Sequence, residues 1–265
     1  MKNILEEIYQ HKLIEVRNRK KELSTQQMCA SMKCGERKIK DFFTALKNKD
    51  DKQEIGLICE VKKASPSHGL IRKDFNHINI AKDYETAGAT CLSVLTDEKY
   101  FMGKNQYLND IAAISNLPIL RKDFMVDCYQ IFEAKMIGAD CILLIVAMLD
   151  DNKLKELEQC AFDLGLSVLI EIHNQEELQR ASKLKSKLLG INNRDLKSLK
   201  TDLKTSLDLA DQVPTDYVLI SESGIKDALD IDLLTQAGIN CFLIGESFMK
   251  QKNIVAAVKE LFLKN

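Results

Sequence analysis

The chain lacks tryptophan, has three prolines among 265 residues, and contains no Cys-x-x-Cys pair. It also lacks a long apolar run and an excess of either charge. Each absence closes a class of function. With so few prolines and no low-complexity stretch, nothing reads as a linker to a second domain. The 38 basic and 39 acidic residues leave a formal net charge of −1, so no basic face is expected and nucleic acid is not an expected partner. The longest strongly apolar run, residues 141–149, is too short to cross a bilayer. The opening Met1-Lys2-Asn3-Ile4-Leu5-Glu6-Glu7 has early acids and no apolar core, so it does not read as a signal peptide.

The eight cysteines are scattered at Cys29, Cys34, Cys59, Cys91, Cys128, Cys141, Cys160 and Cys241. Cys59, Cys91, Cys141 and Cys241 fall in apolar, strand-like runs, where a thiol behaves as a small hydrophobe. No disulfide is expected, and a reducing, cytoplasmic setting follows. His11, His68, His77 and His173 make no zinc-like spacing, so no metal site is expected. No cofactor motif is visible.

What is present is rhythm. Apolar residues make up 45% of the chain, enough for one large core. Residues 1–48 read as a helical extension packed on the main body, with Ile4, Leu5 and Ile8 on one helical face, a break near Cys34-Gly35, and a last apolar patch at Phe42, Phe43 and Leu46. Residues 49–265 read as strands alternating with helices. The expected strands are 55–61, 90–95, 118–121, 141–146, 167–172, 188–191, 217–221 and 239–244. The expected helices between and after them include 76–88, 127–138, 151–164, 175–185 and 227–237, with a last one running to Leu263. Several helices end in glycine followed directly by a strand, at Gly88, Gly138, Gly165 and Gly238, where a left-handed cap fits. The strands are apolar on both parities, as when both faces are buried. Eight such units predict a single (β/α)8 barrel with an N-terminal helical extension. An open doubly wound sheet would carry a Gly-rich phosphate turn after its first strand, which is absent here.

Barrel chemistry gathers at the C-terminal ends of the strands. Those ends are polar here, and the opposite ends are not. The first holds Glu60 and Lys62, two apart and so on one face, with Ser65 beyond. The third holds Lys122 and Phe124. The fifth holds Glu171, which shares parity with Leu169. The sixth holds Asn192 and Arg194, after Gly190. The seventh holds Glu222, Ser223 and Gly224, and the eighth Gly245 and Glu246. Small residues at the last two ends let backbone amides approach a phosphate. A lysine inside a barrel mouth serves as an electrostatic clamp or a general acid. The competing reading of Lys62 and Lys122 is structural ion pairing with Glu60 and Glu171. Lys63 and Arg121 have the opposite parity and read as solvated or packing residues. Phe124 and the Lys99-Tyr100-Phe101 loop read either as an aromatic wall or as core.

In chain order, ICEVKKASPS, SVLTDEKYFMG, LRKDFMVDCYQIFEA, GADCILLI, LIEIH, GINNRDL, SESGI and FLIGESFM resemble the indole-3-glycerol phosphate synthases of tryptophan biosynthesis. Together the strings span residues 55–250, nearly the whole barrel. The resemblance implies ring closure, decarboxylation and dehydration of 1-(2-carboxyphenylamino)-1-deoxyribulose 5-phosphate, with no cofactor. It implies Lys122 as the acid that protonates the carbonyl oxygen and Glu171 as a proton-transfer group in dehydration. Lys62 would hold the anthranilate carboxylate, while Glu60 and Asn192 orient these groups and bind hydroxyls. Ser223, Gly224, Gly245 and the Glu246 amide would bind phosphate, with Arg194 and Ser65 near it. Glu222 would be a supporting polar residue, and Phe124 would pack on the aromatic ring. Family analogy implies a monomer. Cys59 and Val61 depart from the family's usual residues, on the packing parity. Glu246 places a carboxylate beside the phosphate loops, and its side chain is expected to turn away.

Overall fold

The computed structural model describes residues 4–32, 37–195 and 198–261. The expected break at Cys34-Gly35 and the end of the last helix lie outside them. Three helices come first: α1 (Ile4–Glu22), α2 (Thr25–Met32) and α3 (Phe42–Asp50). β1 (Gly56–Val61) follows, then a small antiparallel hairpin of β2 (Ala64–Ser65) and β3 (Gly69–Leu70) that the sequence pattern did not reveal. Helix and strand then alternate through α4 (His77–Ala87), β4 (Cys91–Leu95), α5 (Asn105–Ile114), β5 (Ile119–Lys122), α6 (Cys128–Met136) and β6 (Cys141–Ile145). The second half adds α7 (Asp151–Asp163), β7 (Ser167–Ile172), α8 (Gln175–Ala181), β8 (Leu188–Asn192), α9 (Lys204–Ala210) and β9 (Val218–Glu222). The chain closes with α10 (Ala228–Gln236), β10 (Cys241–Ile244), α11 (Glu246–Met249) and α12 (Ile254–Glu260). Helix α8 stops short of the expected residue 185. Past it, Lys185 and Ser186 donate their backbone N–H groups to the Glu158 carboxylate instead.

The strands form a closed parallel barrel in the order β1-β10-β9-β8-β7-β6-β5-β4. Gly88, Gly138, Gly165 and Gly238 all take positive φ after their helices, as the sequence predicts. Cys59, Cys91, Cys141 and Cys241 are buried. Outward strand residues such as Leu57, Leu92, Ile142 and Ile170 pack under the helices. Inward residues form a second core of Ile58, Leu120, Leu143, Leu169, Leu188, Ile220 and Leu243. Phe42 and Leu46 of α3 belong to that inner core and are fully buried, so α3 stops the barrel's lower end. Asp41 starts α3 by accepting the Thr44 N–H.

Most inward columns turn from apolar to polar on rising through the barrel, while that of β6 stays apolar through Leu143 and Ile145. Ile58 gives way to Glu60, Leu120 to Lys122, Leu169 to Glu171, Ile220 to Glu222, and Leu188 to Gly190 and Asn192. This follows from the two-residue period of a strand.

Helix α1 lies across the barrel mouth, with Leu5 and Ile8 buried. Lys12 anchors it, completely buried, with Nζ 2.9 Å from Asp97 and 2.8 Å from Asp123. Arg121 was read as a solvated or packing residue, yet it is also completely buried. Its guanidinium reaches Glu133 at 2.6 Å, Asp123 at 3.3 Å, and donates to Thr96 Oγ1 and the Gln130 carbonyl. Arg19 of α1 joins the same Glu133 at 2.9 Å. Burial works against the Asp123 charge, but Lys12 and Arg121 outweigh it and hold that carboxyl well below the usual range.

Candidate active site

The polar ends of the columns open into a cavity of about 1010 Å³ at the top of the barrel. At its centre stands Lys122. Its Nζ donates to Glu171 at 2.8 Å and to Glu222 at 2.6 Å. Beside it, Lys62 pairs with Glu60 at 2.6 Å, and Asn192 donates to the second oxygen of Glu171 at 3.2 Å. Two glycines make room for this packing. A Cβ on Gly190 would lie 2.2 Å from Glu222 Oε1, and one on Gly245 would lie 2.7 Å from Glu60 Oε1.

The structure gives Glu222 more than the supporting role that the resemblance implies, since it is one of two carboxylates on Lys122. Burial opposes the lysine charge, yet Glu171 and Glu222 outweigh it and raise the pKa of Lys122. Burial likewise opposes ionisation of Glu171, while Lys122 and His173 pull its carboxyl far down. Glu222 goes the other way. Burial first, and then the charge of Glu171, push it up to about 7 against the pull of Lys122. Two buried carboxylates on one lysine thus divide into an ionised group and one that takes a proton near neutrality.

Loop geometry places the neighbours. Asp127 and Gln130 form a capping box at the start of α6. Gln130 Nε2 also donates to the Phe124 carbonyl at 2.9 Å, which fixes the turn carrying Phe124 over the cavity. Phe101 faces it, with ring centroids 6.1 Å apart. Of the 99–101 loop only Phe101 lines the cavity, since the Tyr100 hydroxyl turns to Glu7. Asn193 is buried and donates to Ser221 Oγ and to the carbonyls of Glu222 and Ser223, tying β8 to the top of β9.

At one end of the cavity Ser223 and Gly224 take φ of +66° and +83° in succession. That left-handed conformation is strained for a serine, by on the order of 1 kcal/mol, and such strain collects at functional turns. Gly245 and Glu246 stand opposite, with Ser65 and Arg194 on the same wall. Here the expectation for Glu246 is corrected. Its carboxylate does not turn away. It stands 3.0 Å from His68 Nε2, 2.6 Å from Lys250 Nζ and 3.4 Å from Arg194 Nη2. Lys250, Arg194 and the His68 ring converge on this end of the cavity and draw the side chain in.

Every residue singled out at the strand ends lines this one cavity. Lys63 does not, and its ammonium sits over the Phe75 ring. Sequence reasoning missed Ile4, Leu5 and Ile8 as cavity wall, although their shared helical face was visible. It also missed His68 and Lys250, which carry no motif. Among the described residues no group of His, Cys, Asp and Glu could hold a metal ion, and no helix is long and apolar enough to cross a membrane.

Solved structures with the same fold include 3-hexulose-6-phosphate synthase from Salmonella typhimurium, with a TM-score of 0.63 and 9% identity, covering 78% of this chain and 96% of that one. Thiamine phosphate pyrophosphorylase from Pyrococcus furiosus aligns with a TM-score of 0.57 and 13% identity, over 78% of this chain and 94% of its own. At such identity these matches speak for the barrel alone. Closer in sequence are proteins named indole-3-glycerol phosphate synthase. The one from Legionella pneumophila (strain Paris) is 50% identical over 261 residues, 98% of this chain and 99% of its own. The one from Polynucleobacter necessarius subsp. necessarius (strain STIR1) is 46% identical over 266 residues, 99% of this chain and 100% of its own. The family model for indole-3-glycerol phosphate synthase matches residues 5–261, from the first turn of α1 to the end of α12. With the whole length matched and the strand-end residues gathered in one cavity, the chain belongs to the indole-3-glycerol phosphate synthase family.

Proposed function

We propose that the protein converts 1-(2-carboxyphenylamino)-1-deoxyribulose 5-phosphate to indole-3-glycerol phosphate, as a cytoplasmic monomer. The observation that carries this reading is Lys122, held between two carboxylates in a cavity that Phe101 and Phe124 line on one side and the Ser223-Gly224 turn at another. Ring closure turns a ketone oxygen into a hydroxyl, so it needs a proton at that oxygen. Lys122 supplies it as the ring carbon bearing the carboxylate attacks the carbonyl carbon. Loss of carbon dioxide then restores the aromatic ring. Departure of the hydroxyl as water, with loss of a proton from the neighbouring carbon, completes the indole. Glu171, ionised and next to Lys122, is the proton acceptor of that last step.

Lys62 grips the anthranilate carboxylate. Glu60 and Asn192 orient the lysines and Glu171 and meet the ribulosyl hydroxyls. Phe124 and Phe101 hold the ring from one side. The phosphate rests on the backbone of Ser223, Gly224, Gly245 and Glu246, with Arg194 and Ser65 at hand. The direct test supplies the purified protein with the anthranilate-derived ribulose phosphate and follows indole fluorescence. A steady rise supports the reading, and its absence under saturating substrate overturns it.

The inward Glu246 carboxylate gives a second expectation. It occupies the cations that a phosphate would use. Glu246→Gln keeps the backbone amide and removes the repulsion, so KM and the inhibition constant of inorganic phosphate fall roughly 2–5-fold, the weight of one partly exposed charge. The gain shrinks at high ionic strength as screening rises. Unchanged constants at low salt would place the phosphate elsewhere.

A further inference from the structure

One partly buried side chain of this region has no part in the chemistry above. His173 stands just past the end of β7, two residues beyond Glu171, and its side chain is 10% exposed. It does not line the cavity. Its ring is fixed from behind. Nδ1 lies 3.0 Å from Glu177 Oε2, and the His173 backbone N–H donates to the same oxygen at 2.8 Å. Glu177 is itself held, accepting from Asn174 Nδ2 at 2.7 Å while Asn174 caps α8 through the Glu177 N–H. The other ring nitrogen, Nε2, lies 3.4 Å from Glu171 Oε1, an ion contact and not a well-formed hydrogen bond.

We propose that His173 is a positioning residue for Glu171. Its imidazolium, anchored by Glu177, keeps the Glu171 carboxylate ionised and aimed once Lys122 has given its proton to the substrate. The inference rests on the reading under Proposed function.

The reason is charge bookkeeping inside a buried site. In the resting state Glu171 leans on Lys122 at 2.8 Å and on His173 at 3.4 Å, its two ion contacts among the described residues. The acid step moves a proton from the Lys122 ammonium to the carbonyl oxygen, leaving a neutral amine. Glu171 and Glu222 then share a cavity with no charge on that lysine. A carboxylate stripped of its counterion in a buried site takes up a proton. Glu171 would be spent before dehydration begins. A second cation on its far oxygen prevents this and does not enter the reaction. The groups facing His173 are Glu171 from β7 and Glu177 from α8. Burial disfavours the charged ring, but those two carboxylates outweigh it and bring the imidazole up to about 9. It is therefore charged throughout the neutral range.

Two variants of the full chain test this, His173→Gln and His173→Asn. Glutamine keeps a neutral donor toward Glu171, and asparagine is too short to reach it. The expected result is a kcat about 10-fold lower for the glutamine variant and about 100-fold lower for the asparagine variant, the range of an impaired acid–base group, with KM changed less than about 2-fold. Removing a positive neighbour raises the pKa of Glu171. The acid limb of the kcat profile, which needs Glu171 ionised, therefore moves to higher pH by about one unit. A structural role alone would lower thermal stability and leave the pH profile in place. Wild-type kcat and an unmoved acid limb in both folded variants overturn the proposal while the parent reading stands. If the unaltered protein forms no indole product, the parent reading falls instead. A nitrogen NMR titration of the unaltered protein then decides the electrostatic premise without turnover. A His173 ring protonated through pH 8 supports it, and one that loses its proton near the ordinary histidine value, about 6.5, overturns it.

Discussion

Lys122→Ala lowers kcat by about 10²–10⁴, the usual weight of one positioned acid, while substrate still binds. The expected split follows from where the lysine stands. Its Nζ meets Glu171 and Glu222 at the cavity centre, whereas the proposed phosphate end and the Lys62–Glu60 pair are built from strands other than its own. Near-normal turnover in indole fluorescence would sink the assigned acid. The same change alters stability in a pH-dependent way. Glu222 already has a folded pKa pushed up to about 7 with Lys122 present. Without the lysine Glu222 rises further above its unfolded value, and Glu171 loses the main charge that holds it down. A group raised in this way contributes stability below its unfolded pKa, and that contribution is lost as pH climbs through the folded one. The variant therefore melts nearest to the unaltered protein at pH 5 and falls behind at pH 8. Adding Glu222→Gln narrows the gap at pH 8, because one of the two like charges is gone. Melting curves at the two pH values check this.

Lys12→Met is expected to destabilise the fold by about 3–5 kcal/mol, the cost of removing one partner from a buried ion cluster. At about 2–4 °C per kcal/mol for a chain of this size, the midpoint drops by roughly 10 °C. The methylene stem is replaced, so packing is nearly kept. Asp97 and Asp123, completely buried, lose the ammonium at 2.9 and 2.8 Å. Arg121 still holds one oxygen of Asp123 at 3.3 Å but does not replace the lysine. The sign with pH is opposite to that for Lys122. The folded pKa of Asp123 is depressed, so its contribution is present above about 3.9, the unfolded value, and fades as acid protonates it. The difference between variant and parent is full at pH 7 and shrinks toward pH 3. Because Lys12 ties α1 across the mouth, KM also rises as Leu5 and Ile8 loosen. A midpoint within a degree or so of the parent would show the cluster to be dispensable.

The barrel was legible because both of its periodicities are written plainly. Helix-ending glycines such as Gly88 and Gly165 marked each return to a strand, and two-sided apolar runs such as 141–145 marked burial. The inward set was legible too, since Glu60 with Lys62, and Glu171 with Leu169, follow from a period of two. What did not show was anything decided by contacts between distant segments. Arg121 looked peripheral because parity places it outside the barrel. That exterior is buried under α6, and its charge is met by Thr96, Asp123 and Glu133. The direction of Glu246 depended on His68 and Arg194, which come from separate loops, besides Lys250 one turn along its own helix. Glu222 and Glu171 have the same ordinary pKa, and their packing around Lys122, with His173 on Glu171 alone, drives them apart.

Phe42 and Leu46 block the bottom of the barrel, and this governs traffic. The cavity is closed below, and at its upper end Ile4, Leu5, Ile8, Phe101 and Phe124 give it an apolar lining. Under the proposed chemistry everything expelled leaves as the substrate entered. Carbon dioxide, small and apolar, slips through an oily frame with little resistance, which draws decarboxylation forward. The larger product leaves past the apolar face of α1, so loosening the Lys12 anchor is expected to change its exit rate.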